Sequence, residues 1–308
     1  MAKAEAERQI PFVPGEELEM TVGGSKQDVR LDSYLCSRFG QLSRQKMQRV
    51  IRQQEILVNG LKAKPSRKLS PGDVIRLTLP SREIDSEQME LDIIYEDEDV
   101  IAVNKAAGVI VHPGRGNPNG TLLNGLYHYA AGRFSPDVVH RLDKDTSGAV
   151  IFSKHARANA FLCEQFQKRT TRKIYNAVVS SNFAEPEGII DAPMADHPNE
   201  NIHKQAVRPD GREAKTAYRV IEDLGDFALV EVEIFTGRTH QIRVHLAHIG
   251  CPLANDELYG GRKLQSPSLS RTALHSKTLE IILPCGDERT ISADMPCDMK
   301  AFLESRRG

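Results

Sequence analysis

The stretch from His140 to Gly148, His-Arg-Leu-Asp-Lys-Asp-Thr-Ser-Gly, gathers acids, bases and hydroxyls ahead of an apolar run. That order predicts a polar loop leading into a strand. A carboxylate in such a loop could act as nucleophile or base, and a neighbouring cation would keep it ionised when water is withdrawn. Residue types alone leave Asp143 and Asp145 equally eligible, with an ordinary polar turn ending in Ser-Gly as the bland alternative. A second cluster runs from Thr236 to Leu246, TGRTHQIRVHL. His240, His245 and His248 invite a metal reading, but spacings of five and three fit no single element that would aim all three at one ion. No cysteine accompanies them, so we expect no metal site. Arg243, between Ile242 and Val244, is more telling, because an arginine in a largely apolar run needs a buried anion. The Asp-rich loop could supply it.

Both clusters need a scaffold. From residue 93 onward, short apolar runs predict strands at 100–104, 149–154, 174–179, 216–222, 228–235 and 278–283. Residues 156–168 read as a helix, with Ala160, Phe161 and Phe166 available for packing. Adjacent strands with few helices between them suggest an α+β sheet rather than a doubly wound one. Neither GxGxxG nor GxxxxGK followed by Ser or Thr occurs, so no nucleotide-cofactor loop is expected.

The 308 residues suit two domains, and 41 Lys+Arg against 42 Asp+Glu give a net charge of −1, which taken whole argues against a nucleic-acid partner. Division by segment points the other way. Residues 1–25 carry −3 and few apolar side chains, and read as a disordered tail. Residues 26–82 hold 13 basic and 4 acidic side chains, a charge of +9 suited to phosphate chains. Residues 83–104 hold 9 acidic and no basic side chains, and we take 83–92 as an acidic linker. Residues 93–308 form the remaining domain. No run of 18 apolar residues predicts a membrane span, and MAKAEAERQI lacks the apolar region of a signal peptide. Five scattered cysteines without CxxC spacing suit free thiols in a reducing compartment, so the expected location is cytoplasmic.

The basic segment reads helix, helix, then short strands. Leu31, Tyr34 and Leu35 share a helical face, and Ser43 can N-cap the next helix. In that helix Met47, Val50 and Ile51 fall in one arc, while Arg44, Lys46, Arg49 and Arg52 fill the rest. Asn59-Gly60 predicts a tight hairpin, and Pro71-Gly72-Asp73 a turn before VIRLTLP. The run from Arg30 to Leu77 resembles the S4 RNA-binding domain, departing from it at Gln54, where the family usually has glycine. The resemblance implies binding of structured RNA through Arg44, Lys46 and Arg49.

The second domain resembles the ribosomal large-subunit pseudouridine synthases. HRLDKDTSG matches their signature loop and TGRTHQIRVHL their arginine motif. VNKAAGVIVHP, Lys173-Ile174-Tyr175, PLANDELYGG and RTALHSKTLEIILP match the remaining segments, with Ala106 and Asn255 in place of the usual Pro and Gly. The resemblance implies a catalytic domain on a mainly antiparallel mixed sheet. It also selects Asp143 as the catalytic aspartate, with Arg243 as its ion-pair partner. Tyr175 would pack on the flipped base and pass a proton, and Arg141 would fill the gap left in the RNA stack. His140 is expected at the RNA-binding surface, holding the loop by a hydrogen bond, and Lys105 near the site. The implied reaction breaks the uridine C1′–N1 bond, turns the base and rejoins it through C5, with no metal or cofactor. We expect a monomer whose partner is ribosomal RNA or a pre-ribosomal particle. The competing readings are a catalytically silent RNA-binding or ribosome-assembly factor and a two-carboxylate glycosidase using Asp143 and Asp145.

Overall fold

The computed structural model describes residues 17–24, 28–39, 44–53, 56–78, 84–114, 116–181, 183–199, 204–264 and 268–307. The chain divides into a small unit within residues 1–83 and a larger one within 84–308.

The small unit runs β1 (Glu17–Thr21), β2 (Val29–Arg30), α1 (Leu31–Arg38), α2 (Arg44–Gln53), β3 (Leu57–Val58), β4 (Leu61–Lys62), β5 (Lys68–Leu69) and β6 (Val74–Thr78). Leu31, Tyr34 and Leu35 of α1 and Met47 and Ile51 of α2 are buried, as their spacing requires. They pack with Ile56, Val58, Ile75 and Leu77 in one core, each fully buried aliphatic side chain contributing about 1.5–3 kcal/mol. Asn59 and Gly60 adopt φ of +55° and +77° and close the β3–β4 hairpin. Ser43 and Gln54 lie outside the described residues.

The assignment of residues 1–25 to a disordered tail is corrected over Glu17–Thr21, where β1 pairs antiparallel with β6 along its whole length. The cause is a period of two that the segment's acidity masks. Met20 and Val22 enter the core, whereas Glu17 and Thr21 face water and Glu19 pairs with Arg76.

The large unit continues β7 (Ile93–Glu96), β8 (Val100–Lys105), α3 (Leu122–Ala130), β9 (Asp137–Val138), β10 (Ser147–Ser153), α4 (Ala156–Lys168), β11 (Arg172–Ser180), β12 (Glu187–Asp191), β13 (Met194–Asp196), β14 (Gln205–Val207), β15 (Lys215–Asp223), β16 (Phe227–Ile234), α5 (Gln241–His248), β17 (Leu274–Ile282), β18 (Glu288–Ser292) and α6 (Cys297–Arg307). Among the described residues, ten strands form one sheet with the main order β12-β15-β16-β11-β17-β10-β8-β7. Every pairing in it is antiparallel except a short parallel seam, where Ser147 and Gly148 of β10 meet His275 and Ser276 of β17. The expected mixed, mainly antiparallel α+β sheet is present. At the seam Gly148 has φ +112°, and a β-carbon there would lie 2.2 Å from the Ser276 carbonyl oxygen.

Two sequence expectations shift. The helix at 156–168 stands, but it buries Ala158, Leu162 and Gln165, and Phe161 is exposed. Of the supposed linker at 83–92, residues 84–92 belong to the large unit: Met89 and Leu91 pack on the α3 core, and Glu87 accepts the Gly120 N–H. Its acidic side chains alternate with apolar ones, so half of it was bound to seek a core.

Candidate active site

α5 packs Ile242 and Leu246 on one sheet face together with Tyr175 of β11 and Val230 and Val232 of β16. The loop before β10 turns back on itself where the Thr146 N–H donates to the Asp143 carbonyl. Between these elements lies a cleft of about 710 Å³, lined among others by His140, Arg141, Asp143, Tyr175, His240 and Arg243. Five of the eight residues expected at the site therefore share one cavity. Of the other three, Arg44 belongs to the small unit, and the side chains of Lys46 and Arg49 lie outside the described residues.

Arg243 is the hub. Its Nε and Nη2 donate to the two oxygens of Asp256 at 2.7 and 2.8 Å, and its Nη1 reaches Asp143 Oδ2 at 3.4 Å. Asp256 is only 1% exposed, Asp143 29%. The buried anion demanded by Arg243 is thus Asp256, which sequence reasoning missed, and the Asp143 contact is the looser one. A bidentate arginine–carboxylate pair fixes a guanidinium in direction as well as place, so Asp256 aims the third nitrogen at Asp143. Tyr259 lies under the guanidinium, 5.0 Å from ring centre to Cζ. Both Asp256 and Tyr259 stand in the PLANDELYGG segment, where Asn255 adopts φ +59° and accepts the Leu264 N–H, so the departure from glycine there is tolerated.

Tyr175 is buried, and burial together with the nearby Asp143 charge pushes its pKa well above the ordinary tyrosine value. It is a phenol, not a phenolate, at neutral pH. Arg141 is exposed at the cleft and makes no hydrogen bond or ion pair to any described residue. The loop-holding hydrogen bond expected of His140 is made by its Nε2, which accepts the Ile151 N–H at 3.2 Å, and its ring stacks on Phe166 at 4.7 Å. Burial, and then the Lys173 charge, push its pKa down to about 3. A neutral imidazole with Nε2 engaged anchors the loop and offers no positive charge to an RNA phosphate.

Lys105 also works from behind the site. Its ammonium donates to the carbonyls of Ala106, Val109 and Lys144, tying the Asp143 loop to the preceding turn. Burial lowers its pKa to about 8, against the raising effect of Asp145. Arg271, also unforeseen, grips Asp298 of α6 bidentately and the Asp145 carbonyl at 3.0 Å. Asp145 itself is exposed and does not line the cleft, which removes the second carboxylate that a glycosidase would need. His245 bonds Thr216 and the Ala192 carbonyl, and His240 bonds Tyr259. Among the described residues no group of three His, Cys, Asp or Glu side chains is placed to hold a metal.

In the small unit Asp32, wholly buried, accepts from Arg30 at 2.8 and 3.0 Å, from Gln48 at 2.7 Å and from Arg44 at 3.4 Å. The Arg30 guanidinium foremost, then Gln48 and Arg44, hold its carboxyl well below the ordinary range against the cost of burial. Arg30 and Arg44 stay 41% and 54% exposed.

A small basic unit followed by a mixed sheet with an aspartate-bearing cleft is the arrangement of an RNA-modifying enzyme. Residues 99–248 match the RNA pseudouridylate synthase family and residues 29–75 the S4 domain. A ribosomal large subunit pseudouridine synthase D of Escherichia coli (strain K12) is 37% identical over 310 residues, covering 94% of each chain. An RNA pseudouridine synthase of Chloroflexus aurantiacus is 40% identical over 306 residues, 96% of each, and one of Bacillus subtilis 37% identical over 301 residues, 94% of this chain and 98% of that one. In fold, the human RNA pseudouridylate synthase domain containing 1 protein superposes with a TM-score of 0.58 at 23% identity, over 71% of this chain and 95% of that one. The chain belongs to the RNA pseudouridine synthase family and is an isomerase of uridine in RNA.

Proposed function

We propose that the protein converts uridine to pseudouridine in large-subunit ribosomal RNA, with Asp143 as the reacting carboxylate. The observation that carries the assignment is the placement of Asp143 in the cleft, 3.4 Å from an arginine already locked by Asp256. Whether the carboxylate adds to the sugar or base or removes the C2′ proton, it reacts as an anion, and Arg243 Nη1 stands 3.4 Å from its Oδ2. Tyr175 supplies an apolar wall and a phenol hydrogen for the detached base. Arg141, with no hydrogen bond or ion pair among the described residues, enters the stack that the uridine leaves, offsetting part of an unstacking cost of a few kcal/mol.

The small unit holds the RNA through Arg44, Lys46 and Arg49, and Arg30 joins them because Asp32 presents it beside Arg44. The enzyme acts in the cytoplasm, as a monomer, without metal or cofactor. The substrate is tested by tritium release from RNA labelled at uridine C5, comparing large-subunit, small-subunit and transfer RNA. Release confined to large-subunit RNA is expected. Release confined to transfer RNA overturns the substrate, and absence of release from every RNA favours a silent binder.

A further inference from the structure

Resting on Asp143 as the reacting group, we propose that His240 is a positioning residue. Its Nε2–H holds the Asp143 carboxylate, and Tyr259 fixes the imidazole tautomer that puts the hydrogen there.

Three independent observations converge. The first is a chain of hydrogen bonds. The Gln205 backbone N–H donates to the Tyr259 hydroxyl oxygen at 2.9 Å, and that hydroxyl lies 2.8 Å from His240 Nδ1. With its oxygen already accepting from Gln205, Tyr259 directs its own proton to Nδ1, so the imidazole proton resides on Nε2. The second is convergence on one oxygen. His240 Nε2 stands 4.0 Å from Asp143 Oδ2, the same atom that Arg243 Nη1 reaches at 3.4 Å. Asp143 Oδ1 makes no hydrogen bond to a described side chain, which leaves it as the oxygen available to the nucleotide. The third is strain. His240 is the N-cap of α5 at φ +57° with no side-chain capping bond, a left-handed backbone state that a residue with a β-carbon adopts only at a cost. What the state gains is an imidazole turned into the cleft instead of toward its own helix.

Burial lowers the His240 pKa below the ordinary histidine value, outweighing Asp143, with Arg243 lowering it further and Asp256 raising it. The ring facing Asp143 at neutral pH is therefore a neutral donor, which orients the carboxylate without protonating it. The 4.0 Å separation closes to hydrogen-bond length when the nucleotide fills the cleft, as catalytic bonds in empty sites commonly do.

The test is single-turnover tritium release by the full chain carrying His240→Gln, His240→Phe, Tyr259→Phe and the Gln/Phe double change. Glutamine keeps an N–H near the Nε2 position and has no tautomer, while phenylalanine keeps the ring without a donor. Both retain a β-carbon at the strained backbone, and thermal unfolding midpoints verify that each variant folds. His240→Phe is expected to slow turnover about thirtyfold with RNA KM nearly unchanged, the scale of one hydrogen bond to a charged group, whereas His240→Gln stays within about threefold of the parent. Tyr259→Phe is expected to slow the parent about fivefold and to do nothing further in the His240→Gln background, where there is no tautomer to set. The proposal is overturned if His240→Phe turns over like the parent, if glutamine is as slow as phenylalanine, or if Tyr259→Phe costs the same in both backgrounds. Asp143→Asn in the same assay separates the two readings. An active Asp143→Asn enzyme removes both, while an inactive one beside a fast His240→Phe enzyme removes only the role of His240.

Discussion

Each unit holds an ion cluster built around a sealed carboxylate, Asp32 in one and Asp256 in the other, and these two clusters are built in opposite sense. In the small unit a single carboxylate, Asp32, gathers two arginines that remain about half exposed. In the large unit a single arginine, Arg243, gathers two carboxylates, one sealed in the interior and one open to the cleft. The surplus charge decides what each cluster presents: a cation over Asp32, an anion beside Arg243. Both use the rigid geometry of arginine–carboxylate pairing to fix a charged group before RNA arrives, so that less ordering entropy remains to be lost on binding.

Removing the hub should expose the difference most sharply. Arg243→Met leaves Asp256 buried without its partner, and a loss of about 3–5 kcal/mol in unfolding free energy is expected for the large unit. Turnover should fall at least about hundredfold, because the donor aimed at Asp143 is gone. Stability is checked by denaturant unfolding and turnover by tritium release. Asp32→Asn should cost less, about 2 kcal/mol in the small unit, since Arg30 and Arg44 can turn to water. RNA affinity should weaken while turnover at saturating RNA holds. Because the Asp32 carboxyl is held below its ordinary value of 3.8, its stabilisation is complete above that pH and is lost as pH falls beneath it. The deficit of Asp32→Asn should therefore shrink on acidification below about pH 4, and a deficit constant down to pH 2 would break the comparison.

Lys105 offers a smaller, alkaline counterpart. Its pKa falls from 10.5 to about 8, so the folded state disfavours its charged form. That penalty is full below about pH 8 and fades as pH rises toward 10.5. Relative to Lys105→Met, the parent should gain stability across that window, as read by urea midpoints at stepped pH. A parallel course for the two proteins would contradict the assigned burial. The smallest effect is expected from Arg44→Ala. Its charge is shared with Asp32, so the salt dependence of RNA binding should flatten by less than the one unit expected of a free phosphate contact.

Much of this was legible in the sequence because the relevant signals are local. The strand at 100–104, the helix at 156–168 and the Asn59-Gly60 hairpin follow from periodicity and turn chemistry. The HRLDKDTSG loop marked the cleft, though only family resemblance chose Asp143 over Asp145. What escaped was pairing at long range. Nothing in the sequence near Arg243 shows that Asp256, 13 residues on, closes on it bidentately, or that Tyr259 sets the state of His240. Asp256 and Tyr259 were inside a recognised segment, but their types suited a surface loop equally well. Strand β1 was missed for another reason: charge counting over 25 residues hid the alternation of Leu18, Met20 and Val22.

The reacting carboxylate is tested most directly by Asp143→Asn, an isosteric change that keeps a side chain within reach of Arg243 and removes the negative charge. With RNA tritiated at uridine C5 and enzyme in excess, we expect RNA binding near the parent level and no tritium released above background. Release at the parent rate would show that another group performs the chemistry.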